Sequence, residues 1–563
     1  MFIKLTSSGP RTYVQLVESF RDDSGKPRQR TLATLGRVDE ADGQVDSLIN
    51  ALLRAKGRYP RDCSAPQIRF ESALALGDVW ALDELWRELG FDRLAGVFRK
   101  ARYTTPVEQA LRVMVFNRLC DPDSKLGVLR WLQTVRIPSI QVESLTHQQL
   151  LRSMDALMDH QSDVDHCVAT LLRPLIDDEL SVVFYDLTTI RTEGLSEQSD
   201  DVRQFGMSKD GVIARQFMLG VVQTADGLPI HHEVFAGNAA ESPTLMPTLK
   251  TVLGRFPHVR RLVVVADRGL LSVDNIEQLS ALTMPDGQSI EFILAVPGRR
   301  YADFEAILAP LQSKAVGQSS EMIEEFQWQG RRLVVAHNPI KAAEQTALRD
   351  ERIAALERRA SELVGKLDAQ DEGRTWRGRK LSDSGAKACF FHEVCEAHLA
   401  SIIRVDLKSD LFSYDIDQRA LTRARLMDGK LLLVTNVADL RASEIVERYK
   451  ALADIERGFR VLKSEIDIAP VYHRLPDRIR AHASLCFMAL ILYRVMRNLL
   501  RLACSDQSPE KVLANLRRTQ HHTITIDDNA PISGVSTVTR DQANALAALK
   551  VKKPIQGHQL SLL

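Results

Sequence analysis

Hydrophobic and polar positions change period several times along the chain. Over residues 11–36, "TYVQLVESF" and "RQRTLATLG" read as strands joined by the turn-rich "RDDSGKP", which predicts a hairpin. From about 39 to 175 the spacing turns to threes and fours, as in "ALDELWRELGFDRLAGVF" and "VEQALRVMVFNRLC", which predicts helices interrupted at "CDPDSK". At Leu180 it changes again. "LSVVFYDLTT" is a short buried-strand run ending at Asp186. "RQFMLGVVQT" and "LPIHHEVFAG" form a second hairpin about "ADG", "SPTLMPTLKTVLGRF" is a helix, and "RRLVVVADRG" is another apolar strand, ending at Asp267. A helix near 272–282 and the strand "EFILAVPG" follow. Residues from about 300 to 428 break the alternation with a long charged helix, "KAAEQTALRDERIAALERRASELVGKL", read as a hairpin arm or a segment packed across a partner. "KLLLVTN" then restores a strand.

The run "YKALADIERGFRVLK" (Tyr449 to Lys463) reads as one helix with Ser443 as N-cap and Glu444 in the first turn. At 100° per residue, positions seven apart fall within about 20° of one another, so Tyr449, Glu456 and Lys463 line one face. Ile445, Leu452, Ile455, Phe459, Leu462 and Ile466 make the adjacent apolar stripe. Glu456 therefore sits at the edge of a core-facing stripe, with Arg460 one turn on. The plain explanation is an Arg460 pair at i,i+4, worth roughly 0.2–0.5 kcal/mol. Asp186 and Asp267 have plain explanations too, as turn or cap residues. The alternative is that two strand-end acids and one helix acid converge. Hard cations such as Mg²⁺ prefer oxygen ligands. Two of them about 3.5–4 Å apart can activate an attacking oxygen and stabilise the leaving oxygen of a phosphodiester. Carboxylates alone repel a nucleic-acid backbone, so neighbouring Arg and Lys would have to hold it.

Composition narrows the choice little. With 563 residues, 45% hydrophobic and 26% charged, the chain is ordinary for a soluble protein of two to four domains. The net charge of +1 does not announce a nucleic-acid binder. Local excesses exist: residues 1–61 and 441–500 each carry eleven Lys or Arg against seven Asp or Glu. Seven scattered cysteines suggest reduced thiols and a cytosolic compartment. The N-terminus has no signal-peptide pattern. "SLCFMALILY" is about half the roughly 20 residues of a membrane span, so a buried core helix and no membrane partner are expected.

Two other clusters carry metal-type residues. Cys389, His392, Cys395 and His398 recur every third position, which on a helix spreads them over roughly 180° and keeps them from converging; an extended or looped form would not. His231 and His232 are adjacent on a strand and point to opposite faces, with Glu233 next.

At the three acids the sequence resembles the DDE transposases of bacterial insertion sequences, within the insertion-sequence-four superfamily and most like the insertion sequence 1634 group. That group's signature, Y-x2-R-x3-E-x6-K, reads here Tyr449, Leu452, Glu456 and Lys463, with leucine where arginine is usual and Arg448 or Arg460 as possible compensation. "FYDLTT", "VVADRGLLS", "FGMSKDGVIARQFMLGVV", "AGNAAES", "MDGKLLLVTN" and "APVYHRLPDRIRAHASLCFMAL" resemble further blocks, in order along nearly the whole chain, and "RTYVQLVESFRDDSGKPRQRTLATLG" extends the likeness to the N-terminus. His473 and His482 fall in such blocks without a physical role of their own.

The resemblance implies an α/β multidomain chain. Its RNase H-like core, a mixed sheet with flanking helices, would be interrupted by a largely β insertion, for which the 189 positions between Asp267 and Glu456 leave room. The expected divisions are 1–62 (hairpin and helix), 63–176 (helical, DNA-end-binding), 177–299 and 430–505 (the two parts of the core), 300–429 (insertion) and 506–563 (C-terminal tail). It further implies a metal-binding catalytic triad of Asp186, Asp267 and Glu456 holding two Mg²⁺, with Mn²⁺ able to substitute. Tyr449 and Lys463 would contact DNA, and Arg460 is a further candidate. The partners would be double-stranded DNA, as terminal inverted repeats and target, and further copies of the chain in a homodimer or larger synaptic assembly. The setting would be the bacterial cytoplasm, at the nucleoid when DNA is bound. The reaction would be cut-and-paste transposition: hydrolysis at the element ends, then attack of the freed 3′-hydroxyls on target DNA. Two rivals share these residues, a catalytically silent, repurposed transposase that binds DNA sequence-specifically and a metal-dependent nuclease without strand transfer.

Overall fold

The computed structural model describes the chain except residues 10, 38–43, 58–66, 102, 139, 141–144, 177–180, 195–200, 208–212, 267–272, 285–286, 316–318, 374–379, 527–529 and 555–563. At 44–46, 181, 273–275, 299, 315 and 454–456 only the backbone is described. The chain forms two compact units.

The smaller unit comprises Met1–Leu74 with Gln520–Thr537. Strands β1 (Phe2–Ser8), β2 (Arg11–Arg21) and β3 (Pro27–Arg37) form an antiparallel meander in which β2 and β3 are the expected hairpin. Helix α1 (Gln44–Ala55) packs on β3. Strand β4 (Ile68–Ala75) lies in a stretch read as helical, because its strand state rests on a partner far away in sequence.

In the larger unit, helices α2 (Gly77–Glu88), α3 (Leu94–Arg99), α4 (Val107–Cys120), α5 (Lys125–Leu132), α6 (His147–Asp159) and α7 (Gln161–Leu172) precede the main sheet. That sheet begins with β5 (Ser181–Arg191), β6 (Gln204–Met207), β7 (Ile213–Thr224) and β8 (Pro229–Ala236). After α8 (Leu245–Arg255) come β9 (Leu262–Ala266), α9 (Val273–Ala281) and β10 (Glu291–Ala295). β8, β7 and β5 are antiparallel neighbours, and β9 and β10 continue the sheet parallel to β5. β5 and β9 are buried almost throughout, which is why both read as continuous apolar runs and not as alternating ones.

The segment between the two parts of this core corrects one expectation. It is mostly helical, not largely β: α10 (Glu305–Ala315), α11 (Pro339–Asp371), α12 (Asp383–Glu396) and α13 (Gln418–Met427) dominate. Its strands β11 (Met322–Trp328) and β12 (Arg331–His337) join the main sheet through β15 (Lys430–Thr435), which pairs antiparallel with β10; β13 (Ile403–Val405) and β14 (Tyr414–Ile416) make only a small ribbon. The reason is local. The 339–371 run is rich in Ala, Glu, Leu and Arg, and buries Ile353, Leu356, Ala360 and Leu363 at helical spacing in a separate small core with Phe390 and Val394.

The chain then forms α14 (Ala442–Lys450), α15 (Ala453–Ser464), α16 (Pro476–Leu502) and α17 (Pro509–Leu516). Next, β16 (Gln520–Ile526) and β17 (Ile532–Val535) join β4 in the smaller unit, and α18 (Arg540–Ala548) returns to the larger one. By length and composition α16 could cross a membrane, but 78% of its most apolar window is buried inside the protein. It packs on α2, α4, α6, β8, α15 and α17, as the expected core helix.

Candidate active site

Asp186 occupies the middle of β5 and not its end as expected, because the strand continues to Arg191; β5 has the antiparallel β7 on one side and the parallel β9 on the other. Its neighbours Tyr185 and Leu187 are fully buried apolar anchors, and Asp186 itself is only 9% exposed. The Leu187 N–H donates to Asp186 Oδ1 (2.7 Å), which fixes the carboxylate against its own backbone. Tyr185 is held by a hydrogen bond from its hydroxyl to Thr244 Oγ1 (2.8 Å), and burial pushes its pKa far up. Gly220 on β7 gives that ring room: a Cβ there would stand 3.0 Å from the Tyr185 hydroxyl. Tyr185 pairs with Ala266, the last residue of the neighbouring strand β9. Asp267, next in the chain, lies outside the described residues.

The helix expected over 443–463 is broken. α14 ends at Lys450, an i to i−3 bond from Leu452 N–H to Tyr449 O (3.0 Å) tightens the junction, and α15 begins at Ala453. Tyr449 and Glu456 therefore stand on different helices, and the single line through Tyr449, Glu456 and Lys463 does not hold across the break. Ser443 is not the N-cap. Arg441 takes that position, with its N–H donating to the Glu444 carboxylate (2.8 Å).

Glu456 lies in α15, which packs against β5 and α16; its side chain lies outside the described residues. Of the apolar stripe, Ile445, Leu452, Phe459, Leu462 and Ile466 are buried as expected. Tyr449 is half-buried against the same core. Arg460 and Lys463 are exposed, and neither side chain makes a hydrogen bond or ion pair with a described residue. Arg448 is half-buried, and its Nη1 is buried without a hydrogen-bond partner among the described residues. No group of three His, Cys, Asp or Glu side chains able to hold a metal occurs among the described residues, a set without the side chains of Asp267 and Glu456.

The two other clusters resolve into structural roles. His231 and His232 do face opposite ways. His231 Nδ1 meets Arg255 (2.6 Å), which is paired to Asp165 (2.8 Å), while His232 hydrogen-bonds Ser484 (3.0 Å) and stacks on Phe487. Glu233 accepts from Thr248 (3.1 Å). Cys389, His392 and Cys395 sit on continuous α12; Cys389 contacts Glu393 and His392 faces Glu396, so the helical reading of the spacing holds.

Residues 3–66 match the family model described as IS1634 family transposase, N-terminal domain, and residues 177–492, more than half the chain, match that of the transposase DDE domain. No curated protein matches the chain.

Proposed function

The chain belongs to the DDE transposases of the IS1634 group, and we propose that it moves an insertion sequence by cut-and-paste transposition, hydrolysing phosphodiesters at the element ends and joining the freed 3′-hydroxyls to target DNA. The observation that carries this reading is the pairing of Asp186, buried on β5, with a Glu456-bearing helix packed against that same strand. The order β8-β7-β5-β9-β10 supports an RNase H-like core around them, interrupted before α14 by the mostly helical segment.

DDE transposases use divalent metal ions. Asp186, Asp267 and Glu456 offer only oxygen donors, the set a hard divalent cation requires, and Asp186 is pre-fixed by Leu187. We assign to these three a pair of Mg²⁺ ions, replaceable by Mn²⁺, which when bound would activate the attacking oxygen and stabilise the leaving one. The chain's own cations would place the DNA. Arg460 and Lys463 are exposed and available to backbone phosphates, and Tyr449 would support the strand near the scissile bond. Leu452, buried in the core, cannot make the contact of the family's usual arginine; Arg448, with its unpartnered Nη1, is the better substitute. Residues 63–176 would read the terminal inverted repeats, and a homodimer or larger synaptic assembly would pair the two ends.

The test is Mg²⁺- or Mn²⁺-dependent cleavage of labelled DNA carrying the termini that flank the coding region, wild type beside Glu456→Gln. Cuts at those termini that vanish in the variant, with binding retained, support the reading. Specific binding without cutting by either protein would favour the silent, DNA-binding alternative.

A further inference from the structure

A cleft of about 690 Å³ opens within the larger unit, between the start of α5 and the segment that leads from α15 into α16. Its walls hold two buried cations that no carboxylate among the described residues neutralises. Lys125 is only 6% exposed, and its Nζ makes no hydrogen bond or ion pair with any described residue. Arg118, 5% exposed, spends its guanidinium on backbone carbonyls, those of Asp123, Ile466 (3.5 Å) and Asp467 (3.1 Å), and its Nε has no partner among the described residues. Burial, and next to it the Arg118 charge, pulls the Lys125 pKa down to about 7.

The other lining groups fit the same picture. His482 Nε2 bonds the Ile468 carbonyl (3.1 Å), and its Nδ1 is buried without a partner among the described residues. Arg478 is paired to Asp155 (2.7 Å). Two acids reach the cleft, both exposed. Asp123 is occupied by the Ser124 N–H (2.6 Å) and Arg130 (3.5 Å), and Asp467 stands at the rim. The N-terminus of α5, capped by Ser124, adds its positive end. An unpaired buried ammonium is costly unless it gives up its proton, as the lowered pKa of Lys125 shows, or a counter-ion arrives to hold the charge. The cleft is therefore built for an anion.

The chemistry of that anion follows from the rim and from the cleft's attachment. Tyr472 is 71% exposed beside it, a free ring for stacking on a base. Val471 in the same wall is hydrogen-bonded to the end of β5, through Val471 N–H to Arg191 O (3.1 Å) and Glu193 N–H to Val471 O (2.9 Å). Arg191 lies five positions after Asp186 on that strand, about 17 Å at ~3.4 Å per residue, or about five steps of B-form DNA.

We propose that this cleft binds one backbone phosphate of the DNA strand, about five nucleotides from the scissile bond, between Lys125 and Arg118, with Tyr472 stacked on an adjacent base. The proposal rests on the reading of the chain as a DNA-processing enzyme.

The experiment uses the full chain with Lys125→Met, which removes the buried charge at nearly constant volume and should leave the melting temperature unchanged or higher. Anisotropy with labelled duplexes, one carrying the flanking termini and one unrelated, should show affinity falling about tenfold on both. The slope of log K against log salt should become shallower by about one. Tyr472→Ala should weaken binding with no change in that slope. A methylphosphonate replacing the phosphate about five positions from the cut should reproduce the Lys125→Met loss and add nothing to it. Unchanged affinity and slope in Lys125→Met would overturn the proposal. So would a thermal shift by inorganic phosphate that Lys125→Met abolishes while DNA binding stays intact, which would make free phosphate the ligand. If neither wild type nor variant cuts DNA but Lys125→Met still weakens binding, the cleft stands and only the catalytic reading fails. If wild type cuts and Lys125→Met binds normally, the cleft fails alone.

Discussion

Gly458 on α15 lies against Gln223 on β7 so closely that a Cβ at 458 would stand 2.8 Å from Gln223 Nε2 and 2.9 Å from Arg494 Nη2. Glycine inside a helix is unfavourable by about 1 kcal/mol relative to alanine. Its presence two residues after Glu456 is explained by this approach of the helix to the sheet. Gln223 is itself fully buried, and both of its amide atoms lack a hydrogen-bond partner among the described residues, so it has little freedom to retreat toward solvent.

Gly458→Ala should therefore push α15 outward while leaving the rest of the core intact. The net destabilisation is expected at about 1–2 kcal/mol, overpacking being partly offset by the better helix former. DNA cleavage should fall at least tenfold with circular dichroism and DNA binding close to wild type. Cleavage at the wild-type rate in a folded variant would show that the close approach does not position Glu456.

Restoring the family's arginine should harm this chain. Leu452 is 6% exposed and packs into the main core at the junction of α14 and α15. Leu452→Arg buries an unpaired charge, and denaturant titration should show a loss of about 2–5 kcal/mol. Leu452→Met should lose less than about 1.5 kcal/mol. A Leu452→Arg protein as stable as wild type would mean that the side chain finds an exit to solvent or to a carboxylate.

Arg460→Ala and Lys463→Ala remove exposed cations without described partners. Stability should move by less than about 0.5 kcal/mol. DNA affinity should fall for every sequence alike, and the salt slope should drop by about one per residue. A loss confined to the terminal sequences would instead assign these side chains to base recognition.

Acid should destabilise the fold through His232. Burial, with the nearby charges of His231 and Arg255, pulls its pKa down to about 3 in the folded protein, against about 6.5 in an unfolded chain. Between those values the unfolded state binds the extra proton, so stability is complete above about 6.5 and declines as pH falls toward 3. At pH 5 the contribution lost is about 2 kcal/mol. Urea titrations at pH 7 and pH 5 should show at least that difference, smaller by about 2 kcal/mol in His232→Gln, since His473 and His482 are held low by burial in the same way. An identical pH dependence in the variant would transfer the effect to other groups.

Periodicity alone located β5, β9, α8, α9 and α16, because a wholly buried strand or helix must be apolar along its length or around its circumference, and neighbours a few residues apart record that. The same local record placed Asp186 on a core strand, although at its end and not in its middle, and Glu456 on a core-packed helix, and showed that His231 and His232 diverge. It did not reveal the break at Leu452 between α14 and α15, nor the strand state of β4, whose partner β16 lies about 450 residues on. Nor did it show that β11, β12 and β15 extend the main sheet, since pairing partners are chosen by edge complementarity across long intervals. The Lys125 cleft was least legible of all. "CDPDSK" reads only as a turn, and its lysine becomes a buried, unpaired cation because a segment some 350 residues later folds over it. Short-range patterning determined the elements and the candidate acids. Only long-range packing decided which charges were left without a partner.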